Sequence, residues 1–303
     1  MLSYVITPCD HCRRLESFLR TLMPAAASAY PRKLIRSGAA KLNGTPSTPD
    51  TLLACSDTVT LKESATLTAL LRDERPALDI LYEDDLIVIV NKPAGLAMHR
   101  TAELEGDLVE LGTAYMEQRA TVCKLYPVNR LDRGTSGTVI LAKSSSAAGI
   151  YGRQVKETGL DKLYLALVEG QPPADGSINE PLDDKESETR YSILLPGDGC
   201  TLLAVVPISG RMHQIRRHLE AVGHPVIGDK RYGSRELPDY EGFALHSFKT
   251  VLVRPDSGPL TVCAPLPDPL LNLCTQQGID QEALLTAVQK LIASQHRPPG
   301  GSQ

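Results

Sequence analysis

Apolar residues recur at helical spacing near the start of the chain. Between Arg13 and Met23, Leu15, Phe18, Leu19 and Leu22 fall three or four positions apart and Pro24 stops the pattern, which predicts a short amphipathic helix. A second helical stretch from Pro31 to Ala40 opens with proline in its first turn and mixes Leu34 and Ile35 with basic residues, so its exposed face is expected to be basic. Leu42-Asn43-Gly44 is a turn signal, and Thr58 to Leu61 reads as a strand. Arg72 to Pro76 is polar and ends in proline, which predicts a linker at 71–77 between a small αα-β module at 1–70 and a larger domain at 78–275.

Beyond the linker the periodicity shifts towards strands. Asp79 to Val90 predicts a strand, an Asp-Asp turn and a second, buried strand. Thr138 to Lys143, Leu163 to Val168, Tyr191 to Leu195, Leu202 to Pro207 and Phe243 to Val253 supply more, separated by Gly, Pro and Asp clusters. Helical spacing returns at Leu108 to Gln118, Ala147 to Lys156 and Glu282 to Ala293. Strands outnumber helices and many are hairpin-linked, so the expected fold class is α+β, a mixed, largely antiparallel sheet with flanking helices. Residues 276–303 are read as a C-terminal helix and a loose tail.

Composition adds constraints. With 42% hydrophobic and 22% charged residues, the 303-residue chain has ordinary globular values. Ten Tyr, three Phe and no Trp argue against a single-strand-binding surface built on many stacked bases. The net charge of −4 would not by itself suggest a nucleic-acid partner, but the basic residues are gathered. Arg32, Lys33, Arg36 and Lys41 lie together without an acid, and Arg211, Arg216, Arg217, Lys230, Arg231 and Arg235 are interrupted by Glu220 and Asp229 alone. Two such patches are suited to a phosphate backbone.

Seven scattered cysteines fit reduced thiols, with Cys123 expected to be buried, and the Cys9-Cys12 pair lacks the second half of a zinc site. The opening residues do not form a secretory signal and no apolar run reaches membrane-spanning length, so a cytoplasmic protein is expected.

Walker A, GxGxxG and HExxH signatures are absent, and Gly134 to Thr138 fails GxSxG at its last position. The block that stands out is NRLDRGTSG, Asn129 to Gly137, where Asp132 lies close to Arg130 and Arg133 at a glycine-flanked turn. Neighbouring cations hold such a carboxylate ionised. The same residues also fit a turn whose Asp caps backbone amides and whose arginines form surface ion pairs. His213 and His218 flank Arg216 but have no third ligand close in sequence, and no metal is expected.

NRLDRGTSG is accompanied, in order, by NKPAGL before it and by KLYLALVEG, GRMHQIRRH and GHPVIGDKRYG after it. On these blocks the chain from about residue 78 to 270 resembles the pseudouridine synthases of the RluA class, which isomerise specific uridines in ribosomal or transfer RNA. The resemblance implies Asp132 as the catalytic aspartate, Arg130 as the residue that occupies the vacated base position, Tyr164 as the ring against the target base and Arg216 as the partner of Asp132, with Ile215 beside Tyr164. Arg211, His213 and Arg133 are the further substrate-binding candidates. Asn129 and Gly134 depart from the family pattern, standing where many members have His and an acidic residue. The stretch from about residue 12 to 63, with RKLIRSGAAKLNG at its centre, resembles the S4 RNA-binding module, which implies that Arg32, Lys33, Arg36 and Lys41 face RNA phosphates.

The chemistry agrees with one motif carboxylate. Breaking the N1–C1′ bond and joining C5 to C1′ needs a nucleophile or base at the ribose and a means of holding the detached uracil, whereas hydrolytic glycosidases usually work with two carboxylates. No cofactor is implied. The expected partner is RNA, ribosomal ahead of transfer RNA, and the expected state is a monomer. The alternative reading is an inactive RNA-binding or ribosome-assembly factor.

Overall fold

A computed structural model describes residues 1–23, 26–27, 29–71, 78–99, 107–117, 124–157, 159–235 and 237–293. The expected linker from residue 72 onward, Cys123 and the expected tail lie outside these residues.

The N-terminal module holds β1 (Leu2–Val5), α1 (Leu15–Leu22), α2 (Tyr30–Arg36), β2 (Ala40–Leu42), β3 (Thr58–Leu61) and α3 (Ala65–Leu71). Its three-stranded sheet has the order β1-β3-β2 and is antiparallel throughout. Helix α2 is shorter than its apolar pattern suggests, because Gly38 takes φ +71° and turns the chain so that Ala40 begins a strand. Leu15, Leu19, Ile35, Val59 and Leu61 meet in a separate core of the module.

The larger sheet contains β4 (Ile80–Glu83), β5 (Ile87–Lys92), β6 (Tyr126–Pro127), β7 (Ser136–Ala142), β8 (Asp161–Glu169), β9 (Gly176–Ile178), β10 (Thr189–Pro196), β11 (Cys200–Pro207), β12 (Leu245–Arg254) and β13 (Gly258–Cys263). Its order is β4-β5-β7-β12-β8-β11-β10-β9, with β13 on β12 and β6 on β7. Among the described strands only the β7–β12 pairing is parallel. The mixed, largely antiparallel sheet expected from the sequence is therefore present.

Alternation along the central strands explains their unbroken apolar runs. In β5, Val88 and Val90 face one core while Ile87 and Ile89 face another, and in β7 Val139 and Leu141 oppose Ile140 and Ala142. Helix α5 (Ser145–Glu157) covers one face through Ala147 and Tyr151. The opposite face is covered by α4 (Leu108–Glu117), α6 (Gln214–Ala221), α7 (Asp268–Gln276) and α8 (Gln281–Ala293). Helix α8 places Leu284 and Val288 in the same core as the sheet, so the expected boundary at residue 275 falls within one packed unit.

The two parts of the chain meet at the edge strand β4. Ser17 Oγ of α1 donates to the Ile80 carbonyl at 2.6 Å, and Arg13 pairs with Asp79. Behind them Glu83 accepts from Arg20 Nη1 (2.9 Å), Lys143 Nζ (2.8 Å) and the Tyr115 hydroxyl (2.9 Å). Arg20 is also bound by Glu16 at 2.6 Å, and Glu16 by Arg32 at 2.8 Å. A helix laid on β4 in this way covers a sheet edge that would otherwise offer unpaired backbone groups.

Candidate active site

The loop Asn129–Thr135 enters β7 where that strand runs beside β12. Close approach is needed there: a Cβ on Gly137, whose φ is +111°, would lie 2.3 Å from the Ser247 carbonyl oxygen. His246 secures the same junction, with Nδ1 2.8 Å from Ser136 Oγ and Nε2 3.1 Å from the Ala264 carbonyl. The carbonyl requires a proton on Nε2, so the neutral ring accepts the Ser136 proton at Nδ1. Burial pushes the His246 pKa down to about 4, which keeps the ring neutral.

Asp132 projects from this loop with its side chain 27% exposed, open enough to meet a substrate. Arg216 of α6 donates from Nη1 to Asp132 Oδ2 at 2.7 Å. The other side of the guanidinium is gripped by Asp229, which accepts from Nε at 2.5 Å and from Nη2 at 2.9 Å and is itself 1% exposed. The guanidinium carbon lies 4.1 Å from the Phe243 ring centroid and 4.9 Å from that of Tyr232. Burial opposes the positive charge of Arg216, but the bonds to Asp229 and Asp132 outweigh it and its pKa is raised. The result is a fixed cation aimed at one oxygen of Asp132.

The second oxygen, Oδ1, lies 3.7 Å from His213 Nε2. His213 caps α6 in the left-handed region at φ 54°, unusual for a residue other than glycine, and its Nδ1 is 2.9 Å from the Tyr232 hydroxyl. Burial lowers its pKa, with Asp132 pulling the other way and Arg216 adding to the fall, so the imidazole is neutral at pH 7.

Tyr164 stands on β8, in register with Ser247 of β12, and is 7% exposed. Burial raises its hydroxyl to about 12, with Ser247 acting against the shift and the nearby Asp132 charge adding to it. Ile215 belongs to the same apolar cluster. Lys92 lies beneath the loop, its ammonium donating to the carbonyls of Pro93, Leu96 and Arg133 at 2.8, 2.9 and 3.1 Å. Desolvation lowers the Lys92 pKa to about 8 against the pull of Asp132 and Glu241. This residue therefore staples the Asp132 loop to the end of β5.

One expectation needs correction. The arginines near Asp132 in sequence do not supply its countercharge: Arg130 is exposed on the loop, and Arg133 points away to donate from Nε to the Gly95 carbonyl at 2.7 Å. The cation comes from Arg216, 84 positions further along the chain. Arg211 is exposed and tied to the Glu186 carbonyl, while His218 is buried and bonded to Thr189 and the Glu180 carbonyl. Arg32, Lys33, Arg36 and Lys41 belong to the N-terminal module and take no part in the Asp132 cluster; Arg32 is engaged by Glu16 and the Glu83 carbonyl. Among the described residues no group of three or more His, Cys, Asp or Glu is placed to hold a metal, and no helix is long and apolar enough to cross a membrane.

Both departures from the family pattern have local reasons. Asn129 is buried and joins backbone to backbone, donating to the Thr138 carbonyl and accepting from the Ile140 amide. At Gly134 a Cβ would meet the Phe243 ring at 2.6 Å, so the position has no room for an acidic side chain. Sequence reasoning missed Asp229, Tyr232 and Phe243. The first two lie inside the GHPVIGDKRYG block and were detectable there, whereas nothing in the local sequence of Phe243 marks it.

Comparison with known proteins accords with this arrangement. The family described as RNA pseudouridylate synthase matches residues 86–221, which include Asp132, Tyr164 and Arg216. The Escherichia coli K12 protein named ribosomal large subunit pseudouridine synthase C is 34% identical over 257 residues, covering 77% of this chain and 80% of its own. Its Vibrio parahaemolyticus counterpart is 33% identical over 253 residues, covering 76% and 79%. Among solved structures, human RNA pseudouridylate synthase domain containing 1 aligns with a TM-score of 0.54 at 26% identity, covering 70% of this chain and 94% of that one. Human RNA pseudouridylate synthase domain containing 4 shares the fold, with a TM-score of 0.56 at 21% identity over 65% and 92% of the two chains. With this breadth of likeness, the chain belongs to the RNA pseudouridylate synthase family, in its RluA class, whose members isomerise uridine to pseudouridine in RNA.

Proposed function

We propose that this protein converts specific uridines of large-subunit ribosomal RNA into pseudouridine, with Asp132 as the catalytic carboxylate. The observation that carries the reading is the half-open state of that carboxylate, bound at Oδ2 by an immobilised guanidinium and exposed elsewhere. Asp132 acts at the ribose, as nucleophile at C1′ or as base on the sugar, while Arg216 pairs with it and orients it. Tyr164 stacks on the flipped base, a contact of about 1–3 kcal/mol that helps offset the few kcal/mol needed to extract a paired nucleotide. Arg130 on the exposed loop takes the vacated place in the stack, and Ile215, Arg211, His213 and Arg133 line the approach.

The ribosomal assignment is supported by the names of the bacterial relatives and by the basic module resembling S4, on which Lys33 and Arg36 are exposed. The protein acts as a cytoplasmic monomer and needs no cofactor. Carbodiimide mapping of pseudouridine in total RNA, with and without the protein, names substrate and position together. A lost ribosomal site that returns with wild type but not with Asp132→Asn is expected; an unchanged map overturns the reading, and a lost transfer RNA site redirects it. Tyr164→Phe then separates the ring from its hydroxyl.

A further inference from the structure

We infer that His213, backed by Tyr232, is a positioning residue for the isomerisation, turning a neutral N–H towards the Asp132 oxygen that Arg216 leaves free. This rests on the reading of Asp132 as the acting carboxylate. Arg216 fixes Oδ2 at 2.7 Å, but a contact at one oxygen still lets a carboxylate rock about it. His213 Nε2, 3.7 Å from Oδ1, supplies the second point of reference.

The block GRMHQIRRH builds this placement through its glutamine. Gln214 is buried, and its Oε1 accepts from Ser209 Oγ at 2.7 Å and from the Arg211 amide at 3.0 Å. Its Nε2 donates to the Glu188 carbonyl at 2.8 Å and to Thr189 Oγ1 at 3.1 Å. One turn on, His218 Nδ1 lies 2.9 Å from the same threonine hydroxyl. With the turn and the helix both tied to Thr189, the chain enters α6 through His213 at φ 54°, a conformation that crowds Cβ against the following carbonyl. Backbone of this kind persists only where its surroundings enforce it. The imidazole is thereby turned to Asp132, whereas Met212, one residue earlier, is 62% exposed.

The ring is held from behind. Its Nδ1 lies 2.9 Å from the Tyr232 hydroxyl, and the two rings meet edge to face with centroids 5.8 Å apart. Tyr232 belongs to the short turn Lys230–Tyr232 that follows Asp229, and its own ring is covered by the Arg216 guanidinium at 4.9 Å. A carboxylate only accepts, so the edge facing Asp132 carries its proton on Nε2 and the Tyr232 hydroxyl donates to Nδ1. At 3.7 Å the Nε2 to Oδ1 approach is longer than a hydrogen bond, so the ring biases the carboxylate's rotation without occupying the oxygen that meets the sugar. The charged groups around the ring are Asp132 from its loop, Arg216 from α6, and Asp229 and Arg231 from the segment that carries Tyr232. Burial and the two arginines oppose a charge on the imidazole, the two aspartates favour it, and the ring's pKa falls below 6.5. Protonation in acid makes Nε2–H a charged donor, which binds Oδ1 outright and takes that oxygen from the substrate.

Joining C5 to C1′ expels the hydrogen on C5, so release of tritium placed there in a large-subunit ribosomal RNA transcript reports turnover. The test measures kcat and KM by that release for the full-length chain between about pH 5 and 9, with kcat counted per folded molecule. His213→Ala is expected to lower kcat on the order of 10²-fold while KM stays as in wild type. Asparagine takes the left-handed conformation readily and offers a neutral donor that does not titrate. His213→Asn should therefore recover most of that loss at pH 7 and move the acid limb of log kcat to lower pH. Tyr232→Phe keeps a ring against Arg216 but removes the hydroxyl, and should lower kcat by about tenfold. Wild-type kcat in His213→Ala overturns the positioning role, and so does a rise in KM in place of a fall in kcat, which makes the ring an RNA contact. An asparagine variant as slow as the alanine one also overturns it, because the ring then moves a proton. Should His213→Ala fail to fold, an unshifted acid limb in His213→Asn together with wild-type kcat in Tyr232→Phe overturns the inference. No tritium release by wild type overturns the functional reading itself.

Discussion

Glu83 at the seam between the two parts of the chain and Asp132 in the site are both carboxylates facing arginine, yet their surroundings suit them to opposite tasks. Glu83 has a 4% exposed side chain and accepts from Arg20, Lys143 and Tyr115. Its hydrogen-bonding capacity is spent within the protein, so it can only hold parts together. Asp132 shares its arginine with Asp229, leans towards a neutral imidazole at 3.7 Å and keeps 27% of its side chain open. What separates Glu83 from the carboxylate proposed to be catalytic is how much of each side chain is left open to an incoming molecule, more than the presence of a cation.

Removing each charge in turn breaks this contrast if it is wrong. Asp132→Asn is expected to lower pseudouridine formation by at least about 10³-fold while the Kd for substrate RNA stays within about threefold, as measured by single-turnover assays and filter binding. Near-normal turnover would remove Asp132 from the chemistry. Glu83→Ala leaves Arg20 and Lys143 without their shared carboxylate in a buried seam and should cost about 3–5 kcal/mol in urea unfolding, with activity per folded molecule retained. A large loss of turnover in the folded variant would show the seam to be coupled to the reaction.

Acid titration sharpens the comparison at a second buried group, His246. The folded-state pKa of His246 is lowered to about 4 from 6.5, so the unfolded chain binds the proton first. Its contribution is therefore complete above pH 6.5 and is lost as pH falls from 6.5 towards 4, on the order of 3 kcal/mol in total. His246→Gln should flatten that part of the profile of unfolding free energy against pH. A smaller effect is expected from Gly134→Ala, where the new methyl group presses on the Phe243 ring against which Arg216 is stacked. Overpacking of this kind costs about 1–3 kcal/mol, and the variant should lose turnover through a displaced Arg216 with little change in RNA affinity.

Strands in both sheets were legible because period-two alternation and hairpin turns are local signals. Thr58–Leu61 and the paired runs of β4 and β5 fall where the pattern puts them. Strand β1, helix α7 and strand β13 were missed, since a four-residue edge strand and segments interrupted by proline or charge carry weak periodicity. The motif blocks singled out Asp132 and Arg216, which the fold pairs across 84 positions, whereas proximity in sequence did not predict that pairing, since Arg133 donates to the Gly95 carbonyl instead. Packing set by the tertiary fold, such as Phe243 against Arg216 or Glu83 beneath Arg20, leaves no trace in spacing along the chain.

The parallel pairing of β7 with β12 also affects the timing of synthesis. Ser136 meets His246 across 110 positions of sequence, a separation whose closure entropy must be overcome before the two can pair. Asp132 leaves the ribosome early, but Asp229, Phe243 and the strand that anchors their loop are translated more than ninety residues later. A growing polypeptide therefore displays its acidic side chain long before the groups that aim it exist, and isomerase activity should arise only once nearly the whole sheet has been made.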